Sequence, residues 1–373
     1  MPALSETCVW FLRHGESTFN VEHRCQGSCD EPELTARGRE TACLSGERLA
    51  AEGIQTIISS PLGRAAHTAD EVLKIVRARG QRVTFETDDR LREIGLYNWE
   101  GLHFEKISRY FPEQYGTWRL RPQEFHMWLA EDEVQYPVRN LYDRARSFWD
   151  DLLTSYAGKS ILLISHGGTI RALTTLALGL GPEHFQRFQQ SNCGVSRVRF
   201  ANGSAPARLE LLNDTAHLGE QLPKLKEGRC GVRLLLMPVS EPNRADIVRL
   251  AAALEGIAID NFLVVGSIAR DVASQLLAYP FDSGRVSEAT ADSVVDQVLH
   301  YDSGDQLRHV AILGPLAVLR HTLQQQLGIS DTAAESLELR PLEITSLHRP
   351  GNEAPPVLQT VNMSNAKLNL VSV

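Results

Sequence analysis

The chain has 373 residues, 43% of them hydrophobic and 23% charged, with a formal net charge of −8. That balance is the one expected of a soluble globular chain of about two domains. Net negative charge argues against a broad nucleic-acid surface, and no apolar run approaches the roughly 18 residues that suggest a membrane span.

In chain order, CVWFL (8–12) reads as a buried strand. ELTARGRETACLSGERLAAEG reads as a helix that starts at Leu34-Thr35 and stops at Gly53. IQTIISS is the next strand, and Pro61 opens the helix PLGRAAHTADEVLKIVRARG. After a polar, aromatic-rich segment come the helix LYDRARSFWDDLLTSYAG, the strand KSILLIS and the helix GTIRALTTLALGLG. Alternating strands and helices predict a three-layer α/β/α fold with a mostly parallel central sheet. The opening MPALSETCVW lacks the basic leader and apolar core of a secretory signal, and no transit peptide is expected before the first strand. The six cysteines (Cys8, Cys25, Cys29, Cys43, Cys193, Cys230) are sparse, so reduced thiols and a cytoplasmic location are expected. Cys25 and Cys29 have no second ligand cluster, so no metal and no cofactor is expected.

In an open parallel sheet the site lies beyond the carboxyl ends of the strands. Three strands here end in chemically loaded turns: Arg13-His14-Gly15, Ser59-Ser60-Pro61 with Arg64 in the following helix, and Ser165-His166-Gly167-Gly168. Two histidines, two arginines and two helix starts then converge. Arginine forks bind phosphate oxygens in pairs, and helix starts add N–H groups and a positive dipole end. A dianion site is the expectation.

FLRHGESTFN, SSPLGRAAHTA, LREIGLYNWEG and LLISHGG, in this order, resemble the histidine phosphatase superfamily, phosphoglycerate-mutase-like branch, over about residues 8–218. The resemblance implies a phosphoglycerate-mutase-like sheet fold and a nucleophile at His14. Arg13, Arg64 and His166 would hold the phosphoryl oxygens, and Glu93 would serve as general acid and base. Asn20, Ser17, Gln26, Gly27 and Gly167 would line the substrate. The mutases of that branch carry a basic residue and a histidine directly after the acid glutamate. Ile94 and Gly95 stand there instead, and the run ends in WEG, as in the phosphatases. FPEQYGTW, YPVRNLYDRARSFW and FQQSNCGVSRVRF further resemble tandem plant and cyanobacterial proteins of the 2-carboxy-D-arabinitol-1-phosphatase type. That implies a small phosphorylated sugar or sugar acid as substrate, with Arg119, Arg121 and Arg139 as candidate carboxylate ligands. A phosphoglycerate mutase and a phosphate-binding regulatory protein are the alternatives. No nucleic-acid or membrane partner is expected, and homo-oligomerisation stays open.

An internal repeat emerges further along. SILLISHGGTIRALTTLALGL lies over HVAILGPLAVLRHTLQQQLGI at a shift of 149 residues, which carries His166 onto Pro315. WFLRHGES lies over LLLMPVSE, so Arg13 and His14 fall on Met237 and Pro238, and Arg64 falls on Ile268. The expected organisation is a catalytic domain over residues 1–220 and a second, degenerate, non-catalytic copy of the same fold over 221–373.

Overall fold

The computed structural model describes residues 6–201, 205–226, 228–279, 283–301, 306–351 and 354–363. The outer ends of both expected domain ranges, 1–5 and 364–373, lie outside them. The chain divides into two compact units, Met1–Leu209 and Glu210–Val373, so the boundary falls eleven residues before the expected 220/221. The strand Arg208–Asp214 spans that boundary.

In the first unit, β1 (Thr7–Arg13) leads through the short α1 (Thr18–Val21) to α2 (Ala36–Leu49), capped by the Thr35 side chain. Then come β2 (Thr56–Ser59), α3 (Gly63–Ala78) and β3 (Thr84–Thr87). An insert follows, with α4 (Phe104–Tyr110), α5 (Pro112–Leu120) and the hairpin β4 (Met127–Ala130) and β5 (Glu133–Gln135). Next are α6 (Pro137–Ser155), β6 (Ser160–Ser165), α7 (Gly167–Ala177) and β7 (Val195–Phe200). The strand β8 (Arg208–Asp214) crosses the boundary.

The sheet order is β3-β2-β6-β1-β7, parallel except for β7. Val9, Trp10, Phe11 and Leu12 are all buried. An unbroken apolar run in a central parallel strand demands cover on both faces. The helices pair as α2 with α3 and α6 with α7 to supply it. Burying each large apolar side chain contributes roughly 1.5–3 kcal/mol, so this strand is a major anchor of the unit. Its register matters most for function. Arg13 pairs with Ser165 and Ser59 with Ile164, which brings three strand ends level at one rim of the sheet.

The second unit runs β9 (Gly231–Pro238), α8 (Arg244–Leu254), β10 (Ile259–Val264), α9 (Ser267–Leu276), β11 (Ser283–Glu288) and α10 (Val294–His300). It continues with β12 (Leu307–Gly314), α11 (Leu316–Leu327), α12 (Asp331–Glu335), β13 (Ile344–Arg349) and β14 (Val357–Met363). Leu235, Met237, Leu250, Phe262, Val272 and Leu313 lie in its core. Its order is β11-β10-β12-β9-β13-β14, with β13 antiparallel to β9 as β7 is to β1. The 149-residue shift carries β7 onto β13 and β8 onto β14, bound for bound. Left-handed residues repeat at the same shift: Cys193 and Leu342, Asn213 and Asn362, Gly179 and Gly328. Among the described residues no helix is long and apolar enough to cross a membrane.

Candidate active site

His14 follows the last residue of β1, and its N–H donates to the Ser165 carbonyl at 2.9 Å. Its ring Nδ1 lies 2.7 Å from the Gly15 carbonyl oxygen. A carbonyl only accepts, so Nδ1 carries the proton and Nε2 carries the lone pair. The His166 ring lies 5.1 Å away, centroid to centroid, and its Nε2 is 2.8 Å from Ser60 Oγ. Burial, then the nearby Arg64, His14 and Arg13, holds His166 well below the usual histidine range, so it is a neutral donor or acceptor at pH near 7.

Arg64 sits in the first turn of α3 and donates to the carbonyls of Cys29 (2.8 Å) and Gly27 (2.9 Å). Arg13 donates to the Gln190 carbonyl at 2.8 Å. Burial brings the Arg13 guanidinium down to about 10, Glu93 opposes this, and Arg171 and Arg64 add to it. Arg64 is lowered as well, again mainly by burial. His14, Arg64 and His166 are only 2%, 1% and 0% exposed. Of these, the Arg64 cation held this deep is costly without an anion beside it, and a bound dianion would relieve that cost.

Glu93 arrives from the irregular segment after β3. Its carboxylate accepts the N–H groups of Ile94 (2.9 Å), Gly168 (3.0 Å) and Thr169 (3.1 Å). This revises one expectation: the first turn of α7 is not open to phosphate throughout, because Glu93 already takes two of its donors. A Cβ on Gly168 would come 2.5 Å from Glu93 Oε1, so glycine is required for that approach. Gly167 is in contact with Arg13, where a Cβ would lie 3.4 Å from Nε. Arg144 donates to the carbonyls of Arg92 and Glu93 and fixes the main chain beneath the carboxylate.

The loop after β1 completes the rim. Ser17 Oγ lies 3.0 Å from Asn20 Oδ1 and 2.9 Å from Gln26 Oε1, which share its single hydrogen. Glu100 Oε1 accepts the N–H groups of Ser28 (2.7 Å) and Leu96 (3.1 Å). Gly27 has φ 52°, and a Cβ there would meet the Glu100 carboxylate. A cavity of about 160 Å³ opens at this rim, lined among others by Arg13, Asn20, Gln26, Gly27, Glu93 and Gly167. Of the remaining expected residues, Ser17, His14, Arg64 and His166 are buried and do not line it.

The cavity's other cations are Arg24 and Arg171, and Ile94, Leu96, Trp118 and Phe185 form apolar wall. Sequence reasoning pointed to Arg119, Arg121 and Arg139 instead. The structure gives Arg121 to Glu124 and Arg139 to the Gln123 carbonyl, stacks Arg119 beside Tyr115, and puts none of them in the cavity lining. Sequence reasoning gave no role to Glu100, Arg144 or Asn192, and it placed Ser60 at the rim without its bond to His166. Glu100 and Asn192 stood in the quoted runs WEG and SNCG. Arg144 sits in a helix whose pattern gives no sign of the carbonyls it serves. None of the six cysteines is in a disulfide, and burial pushes the Cys25 thiol far up, which disfavours its thiolate. Among the described residues, no group of three His, Cys, Asp or Glu could hold a metal ion.

Residues 9–215 match the sequence profile of the histidine phosphatase superfamily (branch 1). The "Probable 2-carboxy-D-arabinitol-1-phosphatase" of Arabidopsis thaliana is 37% identical over 211 residues, 56% of this chain and 42% of that protein. The chain thus spans less than half the length of that curated plant relative. The "Probable phosphoglycerate mutase GpmB" of Yersinia enterocolitica is 35% identical over 59% of this chain and 97% of its own length. Among solved structures, Bacillus stearothermophilus YhfR is similar at a TM-score of 0.49 and 28% identity, over 57% of this chain and 99% of that one.

Proposed function

Since that match covers more than half of its residues, the chain belongs to the histidine phosphatase superfamily (branch 1), and we propose that its first unit is a metal-independent phosphatase acting on a small sugar or sugar-acid phosphate. The observation that carries this reading is the His14 ring, whose Nδ1–H is committed to the Gly15 carbonyl so that Nε2 is the nucleophilic nitrogen. In the proposed reaction, Nε2 attacks phosphorus and the P–O bond to the sugar breaks. The leaving oxygen takes a proton from Glu93. Arg13, Arg64 and His166 hold the phosphoryl oxygens as charge spreads over them. Water then attacks the phosphohistidine, gives its proton to Glu93, and phosphate departs with Nε2 free again.

Two features support an acidic sugar phosphate. Arg171, whose guanidinium also bonds Gln186, and Arg24, which is paired with Glu22 at 3.0 Å, add positive charge to the cavity lining, and the Arabidopsis relative's name specifies a carboxylated sugar phosphate. The Yersinia relative's name favours the second reading, a phosphoglycerate mutase. Against it, Ile94 and Gly95 stand directly after Glu93, where the mutases resembled carry a basic residue and a histidine. We further propose that the second unit is a degenerate, non-catalytic copy. The sheet registers correct the expected match by one residue: Pro238 pairs with Gly314 as Arg13 pairs with Ser165, and the Val239 N–H donates to the Gly314 carbonyl as the His14 N–H does to that of Ser165, so Pro238 and Val239, not Met237 and Pro238, stand where Arg13 and His14 are. Neither side chain can bind phosphate, Ile268 is 41% exposed, and Pro315 caps α11 without a side-chain hydrogen bond. Cysteines without disulfides suit a reducing cytoplasm.

A phosphate-release screen over sugar phosphates and sugar-acid phosphates tests the reading, run beside 3-phosphoglycerate with its bisphosphate cofactor. The highest kcat/KM is expected on a sugar-acid phosphate. Faster interconversion of phosphoglycerates than phosphate release from any substrate would replace it with the mutase.

A further inference from the structure

Asn192 lies in the turn before β7, outside the set assigned to phosphate. Its side-chain Nδ2 is 3.0 Å from the His14 carbonyl oxygen, 3.1 Å from the Gly15 carbonyl oxygen and 3.0 Å from Asn20 Oδ1. Two backbone carbonyls can only accept, so the amide orientation is fixed by its partners. Two hydrogens serve three acceptors, so at least one is shared. Asn20 Oδ1 also takes the N–H and the hydroxyl of Ser17, which ties the amide into the loop after β1.

The Gly15 carbonyl has two donors, His14 Nδ1 and Asn192 Nδ2. It decides which His14 nitrogen carries the proton, and Asn192 holds it in place. An unconstrained neutral imidazole favours the other tautomer, with the proton on Nε2, which cannot attack phosphorus. We propose that Asn192 is a positioning residue that keeps His14 in its Nδ1–H form by fixing the Gly15 carbonyl, an inference that rests on His14 being the nucleophile.

The turn does not need this amide in order to form. Cys193 has φ 54° and donates its N–H to the Arg13 carbonyl at 3.0 Å. In the second unit the same shift places Pro341-Leu342 there. Leu342 keeps the left-handed backbone (φ 61°) and a main-chain bond to the Pro238 carbonyl at 2.8 Å. The turn persists where the histidine and the amide are both absent, so the amide follows the chemistry rather than the fold.

The test is histidine ¹⁵N NMR of the full-length protein, with steady-state kinetics, for wild type, Asn192→Ala and the isosteric Asn192→Asp. Wild-type His14 is expected as the Nδ1–H tautomer above its pKa. Both variants should shift toward Nε2–H and lose about 10- to 100-fold in kcat, with KM changed much less. If Asn192→Ala does not fold, Asn192→Asp, which keeps the shape but removes both donors, carries the test. A folded variant with His14 still in the Nδ1–H form and wild-type kcat would overturn the inference. Wild-type enzyme that turns over without phosphate ever reaching His14 would overturn the nucleophile assignment, and the inference with it.

Discussion

The rim of β6 and α7 and the rim of β12 and α11 are built to one plan and differ at a few side chains. In the first, Ser165, His166, Gly167 and Gly168 join strand to helix, and the helix start receives Glu93. In the second, Gly314, Pro315, Leu316 and Ala317 make the same junction. Proline has no N–H to offer a ligand, and leucine and alanine offer only main chain. Yet both units keep buried strands, the same strand order and the same left-handed turns. The fold therefore depends on the apolar runs, while the chemistry depends on polar groups at strand ends that the core does not require.

Importing the second unit's residues into the first should break the site and leave the fold. Arg64→Ile, which copies Ile268, should lower kcat/KM by about 100-fold or more, since a preorganised donor to the transferring group is lost. The change also leaves the Gly27 and Cys29 carbonyls without their donor, so circular dichroism and a melting curve accompany the kinetics. Near-wild-type kcat/KM would mean that the two rims do not differ in the way described.

Glu93→Gln sharpens the comparison, because among the described residues no side chain hydrogen-bonds as a cap at the start of α11 in the second unit. Activity on alkyl phosphates should fall by about 100-fold. Activity on aryl phosphates should fall much less, because a phenolate leaves without a proton. Equal losses on both would remove Glu93 from the acid role.

The smallest effect is on stability. His166 is held well below its unfolded value of about 6.5. As pH falls through that value the unfolded chain binds a proton that the native state does not, so stability is present above it and is lost below. The slope from this group is at most about 1.4 kcal/mol per pH unit. His166→Gln should therefore melt with a shallower pH dependence between about pH 7 and 5 than wild type. An unchanged slope would show that the depression of His166 is not coupled to folding.

Much of this was legible in the sequence, because apolar runs that stop at Arg13-His14, Ser59-Ser60 and Ser165-His166 mark strand ends by composition alone. The repeat was legible for the same reason: strands and helices keep their spacing when their ends change. What stayed hidden has a common cause. The carbonyl partners of Arg13 and Arg64, and the roles of Arg144 and Asn192, all lie on the main chain, and a carbonyl leaves no mark on residue identity. Direction was hidden as well. Arg119, Arg121 and Arg139 showed charge in the insert but not where it points, whereas Arg24 and Arg171, unremarkable in sequence, face the cavity. Glu93 was found, but its grip on the α7 N-terminus depends on Gly168 having no side chain.

The central claim is that phosphoryl transfer passes through His14 of the first unit and through no group of the second. Wild-type protein mixed with a turned-over phosphate ester, quenched in base to preserve phosphohistidine and mapped by peptide mass spectrometry, tests it directly. The account predicts phosphate on the peptide bearing His14, none on any peptide beyond residue 210, and neither label nor turnover in His14→Ala. Turnover in His14→Ala near the wild-type rate, or label in the second unit, would contradict it.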